Sequence, residues 1–131
     1  MSDLYENANN VSELTAKDFN IKNLKGKVQM KKFPYKDGFI VFYAPWCPHC
    51  SNEEFTSTWK NLGDHLSKLD IRMTAFNCTK KGNEEFSKFI GIQGFPSIYY
   101  YNHAGHLREY NGARDKKSLL EKLIAERKNL L

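Results

Sequence analysis

The sequence predicts an α/β fold, a central mixed β-sheet with helices on both faces. Three observations carry this. Phe39 to Ala44 is an unbroken run of six apolar residues, short and β-rich, which reads as a strand buried on both faces. Directly after it the pattern turns helical, with Phe55, Trp59, Leu62 and Leu66 at spacings of four, three and four. Strand-like and helix-like segments then alternate to the end of the chain, which is the order of a sheet covered by helices.

Residues 1–10 are polar and read as a flexible N-terminal tail, with one domain over 11–131. Val11 to Leu14 reads as a short edge strand. Thr15 to Asp18 has the form of a capping box, with Asp where Glu is usual, and Leu14 and Phe19 stand at the staple positions. A helix is therefore expected from Thr15 towards Leu24, ending by Gly26. Lys27 to Asp37 is basic, contains Pro34 and reads as an irregular loop. Pro45 cannot continue the central strand, and a helix is expected from Pro48 to about Ser67. Ile71 to Asn77 is a second inner strand, joined to the first by a right-handed crossover. Asn83 is expected to cap a short helix with Glu84 and Glu85 in its first turn, Phe86, Phe89 and Ile90 on its buried face and Gly91 at its end. Ser97 to Tyr101 and His106 to Tyr110 read as a hairpin around a loop at 102–105. Asp115 caps the last helix, whose Leu119, Leu120, Leu123 and Ile124 are expected to face the sheet.

At 131 residues with 14% aromatics, the chain has enough material for one packed core without structural disulfides, and its three cysteines form no even framework. The net charge is +5, but the lysines are scattered and no basic motif interleaved with aromatics occurs. The charge alone raises nucleic acid or anionic surfaces as partners, but the stronger reading is a solvated surface with a mild preference for acidic partners and no specific nucleic-acid site. No apolar run is long enough for a membrane span, and a monomer is expected. Met1 to Asn10 lacks the pattern of a signal peptide, and Lys128 to Leu131 is not a retention signal. As written the sequence reads as intracellular; a removed leader would place it in a secretory compartment.

The chemistry sits where the central strand gives way to the helix, in Trp46-Cys47-Pro48-His49-Cys50. A helix N-terminus carries unpaired N–H groups and the positive end of the helix dipole. A thiolate there is stabilised, so its pKa falls and more of it is ionised at neutral pH. Pro48 suits the first turn, where its missing N–H would have no intrahelical partner. His49 adds a hydrogen bond or, when protonated, a positive charge. The spacing lets the two sulfurs meet in a disulfide, with Cys47 expected as the exposed attacking thiol and Cys50 as the shielded resolving thiol. The rival use of such a pair is half a zinc site. Structural zinc wants four closed ligands, and only Cys78, His49, His65, His103 and His106 remain, with no second C-x-x-C. A c-type haem site needs His directly after the second cysteine, where Ser51 stands. Redox chemistry is the favoured reading, with the cysteine pair as the redox centre and no organic cofactor or metal.

This stretch, following Val41-Phe42-Tyr43-Ala44-Pro45, resembles the thioredoxin superfamily, and within it the catalytic domain of protein disulfide isomerases. The usual isomerase site has Gly in place of Pro48; the Pro-His dipeptide is that of the bacterial periplasmic disulfide-forming oxidases. The resemblance runs from about Val11 to the C-terminus and implies a thioredoxin fold for 11–131. It implies a thiol–disulfide oxidoreductase that forms, reduces or isomerises protein disulfides through a mixed disulfide at Cys47, resolved by Cys50. Protein thiols and disulfides are the implied substrates, and an oxidase or reductase the implied electron partner. Pro96, in Gly94-Phe95-Pro96-Ser97, matches the family's cis-proline. That loop faces the cysteine pair, and the backbone of the preceding residue, here Phe95, hydrogen-bonds an extended substrate. Trp46, Pro45 and Phe95 make an apolar apron for unfolded substrate. Arg114 matches a loop arginine that moves near the resolving cysteine and lowers its pKa. Pro48 and His49 imply an oxidising pair, since whatever stabilises the reduced thiolate raises the potential. A cytosolic disulfide pathway of the kind large DNA viruses carry would reconcile that with an intracellular location.

Several positions depart from the family. A buried carboxylate usually stands six residues before the first cysteine, where this chain has Val41, and the lysine that often pairs with it falls at Ala75. Losing both charges together is physically coherent, because a buried charge without its partner is costly. Phe55 stands where a kinking proline is common, and 27–37 is longer than usual. Cys78 aligns with a position that forms a second disulfide in some isomerase domains; its partner position is Glu85, so a free buried thiol is expected. The reading from a different class is a binding module or chaperone-like adaptor, a thioredoxin fold that holds a protein partner without exchanging disulfides.

Overall fold

The structure, a computed structural model, describes residues 2–22, 27–30, 37–102 and 106–130. Its centre is strand β4, Asp37–Tyr43, buried along its whole length. Phe39, Val41 and Tyr43 join one core with Trp59, Leu62, Leu119 and Leu123, while Ile40 and Phe42 join another with Phe19, Phe76 and Phe86. A strand covered on both faces needs apolar residues at every position, which is why the run is unbroken. Strand β5, Ile71–Asn77, lies parallel to β4, and β1, Val11–Leu14, lies parallel to β5 at the edge. On the other side β6, Ser97–Tyr101, and β7, Leu107–Tyr110, continue antiparallel, so the five-stranded order is β1-β5-β4-β6-β7.

Helices α1, Pro48–Ser51, and α2, Glu53–Leu66, follow β4, with α3, Asn83–Phe89, and α4, Lys116–Leu130, later in the chain. Residues of α2 and α4 fill one core and Phe86 of α3 the other, so helices cover both faces of the sheet. One continuous helix was expected from Pro48; instead the chain breaks at Asn52, which sits at ψ 129° and restarts α2 by accepting the Phe55 N–H on its side chain at 3.1 Å.

Other expectations need correction. The capping box forms between Thr15 and Asp18, but it closes a three-residue 3-10 turn, Ala16–Asp18, not a long helix. The chain then runs into β2, Phe19–Lys22, which pairs antiparallel with β3, Lys27–Met30, inside the stretch read as a loop. Positions 23–26 and 31–36 lie outside the described residues, as does most of the 102–105 loop. Asn83 is the first residue of α3, not its cap: it accepts the Ala16 N–H and donates to the Asn77 carbonyl, both at 3.0 Å, which ties the 3-10 turn to the end of β5. Phe89 and Ile124, placed on buried faces by periodicity, are 50% and 55% exposed, because the cover on those helix faces stops short of them.

The N-terminal segment is not a loose tail. Tyr5 is only 2% exposed and packs edge-on against Tyr43. Asp3 holds Lys80 at 2.7 Å and Asn77 at 2.9 Å, and the Leu4 N–H donates to the Tyr43 hydroxyl at 3.0 Å. Gly63 admits the end of this segment against α2: a Cβ there would lie 2.3 Å from the Asn10 carbonyl oxygen.

At the opposite end of β4 the Asp37 carboxylate is buried and accepts from Tyr100 at 2.6 Å and from Arg127 of α4 at 3.0 and 2.6 Å. Removing one partner of a buried pair leaves an uncompensated charge. The Arg127 side chain is 38% exposed, so Arg127→Met is expected to cost about 2–3 kcal/mol, below the range for fully buried pairs. Urea unfolding at neutral pH checks this; an unchanged midpoint would mean that Tyr100 alone satisfies Asp37.

Candidate active site

Cys47 is the N-cap of α1, Pro48 its first residue, and Cys50 lies one turn in. Both cysteines are unpaired thiols. Pro48 and His49 are exposed, whereas Cys50 is buried and belongs to the core that also holds Tyr5, Tyr43, Ala44 and Phe55. Cys47 is less open than expected, at 7% exposure against 2% for Cys50. The reason is the neighbouring loop: the Cys47 thiol lies 3.7 Å from the Phe95 carbonyl oxygen, and Trp46 meets the Phe95 ring edge-on at 6.1 Å. Trp46 itself is 62% exposed, and the Phe95–Pro96 peptide is cis, as expected from the motif.

The two thiols differ in kind. Burial pulls the Cys47 pKa up, but several effects together outweigh it and hold the thiol below its ordinary value. They are the Cys50 N–H and thiol, the His49 N–H and the positive charge of Arg114. For Cys50 burial dominates, and the hydrogen bond to the Cys47 sulfur and the Cys47 charge add to it, pushing the pKa up to about 12 against the opposing Ala44 backbone contact and Arg114 charge. The surroundings thus favour the thiolate at Cys47 and the protonated thiol at Cys50. Arg114 does not sit on either sulfur. Its guanidinium donates to the Pro96 carbonyl at 3.1 Å, and its charge favours ionisation of both thiols.

Val41 and Ala75 stand directly opposite each other in the β4–β5 register, both fully buried. The two departures from the family therefore meet at one point behind the cysteines. Cys78 is a buried thiol whose pKa burial pushes up to about 12, so it remains a protonated packing residue at neutral pH. Sequence reasoning missed Glu13. It lies in β1 opposite Ala75, in the same row as Val41, and its Oε2 accepts the Tyr43 hydroxyl at 2.5 Å and the Tyr5 N–H at 3.1 Å. Alternation within β1 was the available signal, but Val11 and Leu14 are both apolar and point that alternation both ways.

The asymmetry predicts selective alkylation. Near neutral pH iodoacetamide is expected to modify Cys47 first and Cys50 only slowly, read by mass spectrometry of the digested protein. Comparable rates at the two positions would contradict the assigned environments. Arg114→Gln is expected to raise the pH at which Cys47 becomes reactive, since it removes a charge that favours the thiolate.

The thioredoxin family profile matches residues 10–125. Among curated proteins, mouse protein disulfide-isomerase A6 is 27% identical over 134 residues, covering 100% of this chain and 27% of that protein. The Arabidopsis thaliana protein disulfide-isomerase like 2-2 is 29% identical over 128 residues, covering 98% and 26%. The chain thus spans about a quarter of the length of these relatives. Among solved structures, the Trx4 domain of ERdj5 matches with a TM-score of 0.63 at 26% identity, over 93% of this chain and 98% of that one. Thioredoxin f from spinach chloroplast matches with a TM-score of 0.65 at 20% identity, over 95% and 92%, and shows the shared fold. With a five-stranded mixed sheet, a C-x-x-C pair at the head of a helix and a family match over nearly its whole length, the chain belongs to the thioredoxin family.

Proposed function

We propose that this chain is a thiol–disulfide oxidoreductase acting on protein thiols and disulfides. The observation that carries it is the placement of one C-x-x-C pair across a helix N-terminus, with Cys47 at the N-cap and Cys50 buried one turn in. The Cys47 thiolate attacks a substrate disulfide, forming a mixed disulfide and releasing one substrate thiolate. Cys50 then attacks the Cys47 sulfur, the second substrate thiolate leaves, and the protein holds the Cys47–Cys50 disulfide. Run backwards, the same steps give a disulfide to a substrate. Trp46, Phe95 and Pro96 form the surface against which an extended substrate lies, and Pro48, His49 and Arg114 tune the pair. Relatives named as protein disulfide-isomerases support the same chemistry.

The direction we propose is oxidation or isomerisation, in a compartment that keeps the pair charged with disulfides. Every contact that stabilises the Cys47 thiolate stabilises the reduced protein and raises its potential. Equilibration with glutathione, followed by Trp46 fluorescence, is expected to give a potential near or above about −180 mV, the isomerase value, rather than about −270 mV, that of thioredoxin. A value near the lower figure would make the protein a reductant.

Substitution separates catalysis from simple binding. Cys50→Ala is expected to accumulate mixed disulfides on Cys47 that dithiothreitol releases, and Cys47→Ala to form none. Full partner capture by Cys47→Ala, with no mixed disulfide in Cys50→Ala, would favour a binding module.

A further inference from the structure

The resolving step needs a base. Cys50 sheds a proton before it attacks, yet its thiol is buried, and burial favours the protonated form. Simple ionisation would create a new negative charge inside the apolar core that holds Cys50. A buried acceptor that is already negative avoids this, because moving the proton from thiol to carboxylate leaves one negative charge in the same apolar volume before and after.

Glu13 fits that requirement by position. Its row in the sheet, Glu13–Ala75–Val41–Ile98, continues into the core that holds Cys50, since Ala75, Val41 and Ile98 all belong to it. Its Oε2 is held by Tyr43 and by the Tyr5 N–H, which fixes the carboxylate in place. Its Oε1 is buried and is, among the described residues, the one buried side-chain oxygen or nitrogen without a hydrogen-bond partner. Tyr5 links the two groups: it packs in the same core as Cys50, and its phenol lies within electrostatic range of both Glu13 and Cys50. A buried carboxylate oxygen kept unpaired is costly and calls for an explanation.

We propose that Glu13 accepts the proton that Cys50 sheds as it attacks the mixed disulfide, and so acts on the resolving cysteine from the edge strand β1. This deepens the oxidoreductase reading and rests on it. In the step, the Cys50 S–H bond breaks and the proton passes to the Glu13 carboxylate. The Cys50 thiolate forms the bond to Cys47, the Cys47–substrate bond breaks, and its electron pair leaves on the substrate sulfur. The substrate is reduced and the cysteine pair oxidised; the carboxyl proton then returns to solvent or to the departing thiolate. The groups facing Glu13 are Tyr43 from β4, Tyr5 and Asp3 from the N-terminal segment and Lys80 beyond β5. Burial, with the Asp3 charge, lifts the Glu13 carboxyl to about 7 against the two hydrogen bonds and Lys80, so it both takes and releases a proton near neutrality.

The test is single-turnover stopped flow with reduced protein in saturating excess over a fluorogenic disulfide peptide, reading the first-order release of the second thiol. An acceptor works only when ionised, so wild-type release is expected to rise with pH through the Glu13 titration near 7 and then level. Glu13→Gln keeps an oxygen for the Tyr43 and Tyr5 hydrogen bonds but cannot take the proton. It is expected to slow release about 100-fold, as loss of a positioned base does, and to replace the plateau by a continuous rise with hydroxide. Glu13→Asp is expected to restore the inflection. The inflection is also expected in His49→Ala, whatever that change does to the absolute rate. Unchanged release in folded Glu13→Gln, or an inflection lost with His49, would overturn the proposal. Should Glu13→Gln not fold, a wild-type profile without an inflection near 7 overturns it alone. Formation of the mixed disulfide in Cys50→Ala reads the oxidoreductase activity separately, so failure of that reading is distinguishable from failure of this one.

Discussion

Burial of β4 on both faces is the constraint on which the rest depends. From Phe39 to Tyr43 its alternating side chains belong to two separate cores, and apolar groups fill both. Polar chemistry has to begin where the strand ends. Pro45 takes the chain out of the sheet, the Cys47 N–H returns to the Ala44 carbonyl at 3.0 Å, and α1 starts at once. The reactive sulfur is thereby set at a helix N-terminus on the rim of a rigid core, and its partner one turn deeper in that core. The same core gives the Phe95–Pro96 loop a fixed floor beside Cys47.

The site works by dividing one kind of side chain between two environments. Cys47 gathers N–H groups and the field of Arg114, while Cys50 gathers apolar neighbours and the negative end of its own partner. Neither environment requires a charge in the central strands, and Val41 opposite Ala75 removes both at once. A carboxylate in the same row of the sheet comes from β1, where the edge position lets one oxygen find hydrogen bonds from the N-terminal segment and from Tyr43. Stability and proton handling therefore meet on the outermost strand of the sheet.

Much of this was legible in the sequence because it depends on local pattern. The apolar run, the helical stripe from Phe55 to Leu66, the cysteine spacing and the proline after Phe95 each carry their own signal. What was not legible depends on how a local signal is continued. A capping box states that a turn begins at Thr15 but not how long it lasts; here one 3-10 turn uses it up and a hairpin follows. Phe89 and Ile124 obey helical periodicity, yet periodicity does not tell how far the covering layer reaches. Asp37 was read as loop, because its partner Arg127 is ninety positions away and no local pattern announces the pair. Tyr5 is a single aromatic in a polar stretch, and its burial is decided by Tyr43 and the core around it, far along the chain.

The segment ahead of the first strand has a consequence for where this domain begins. The family match starts at residue 10, which is where a designer cutting a minimal domain would place the scissors. That cut would remove Asp3, Leu4 and Tyr5, and with them a buried aromatic of the core that holds Cys50 and one of the two donors that orient Glu13. The remaining chain would keep every recognisable motif while losing part of the core that holds Cys50. Recognisable sequence and functional unit thus have different edges in this protein, and chimeras or fusions built on it inherit whichever edge they respect.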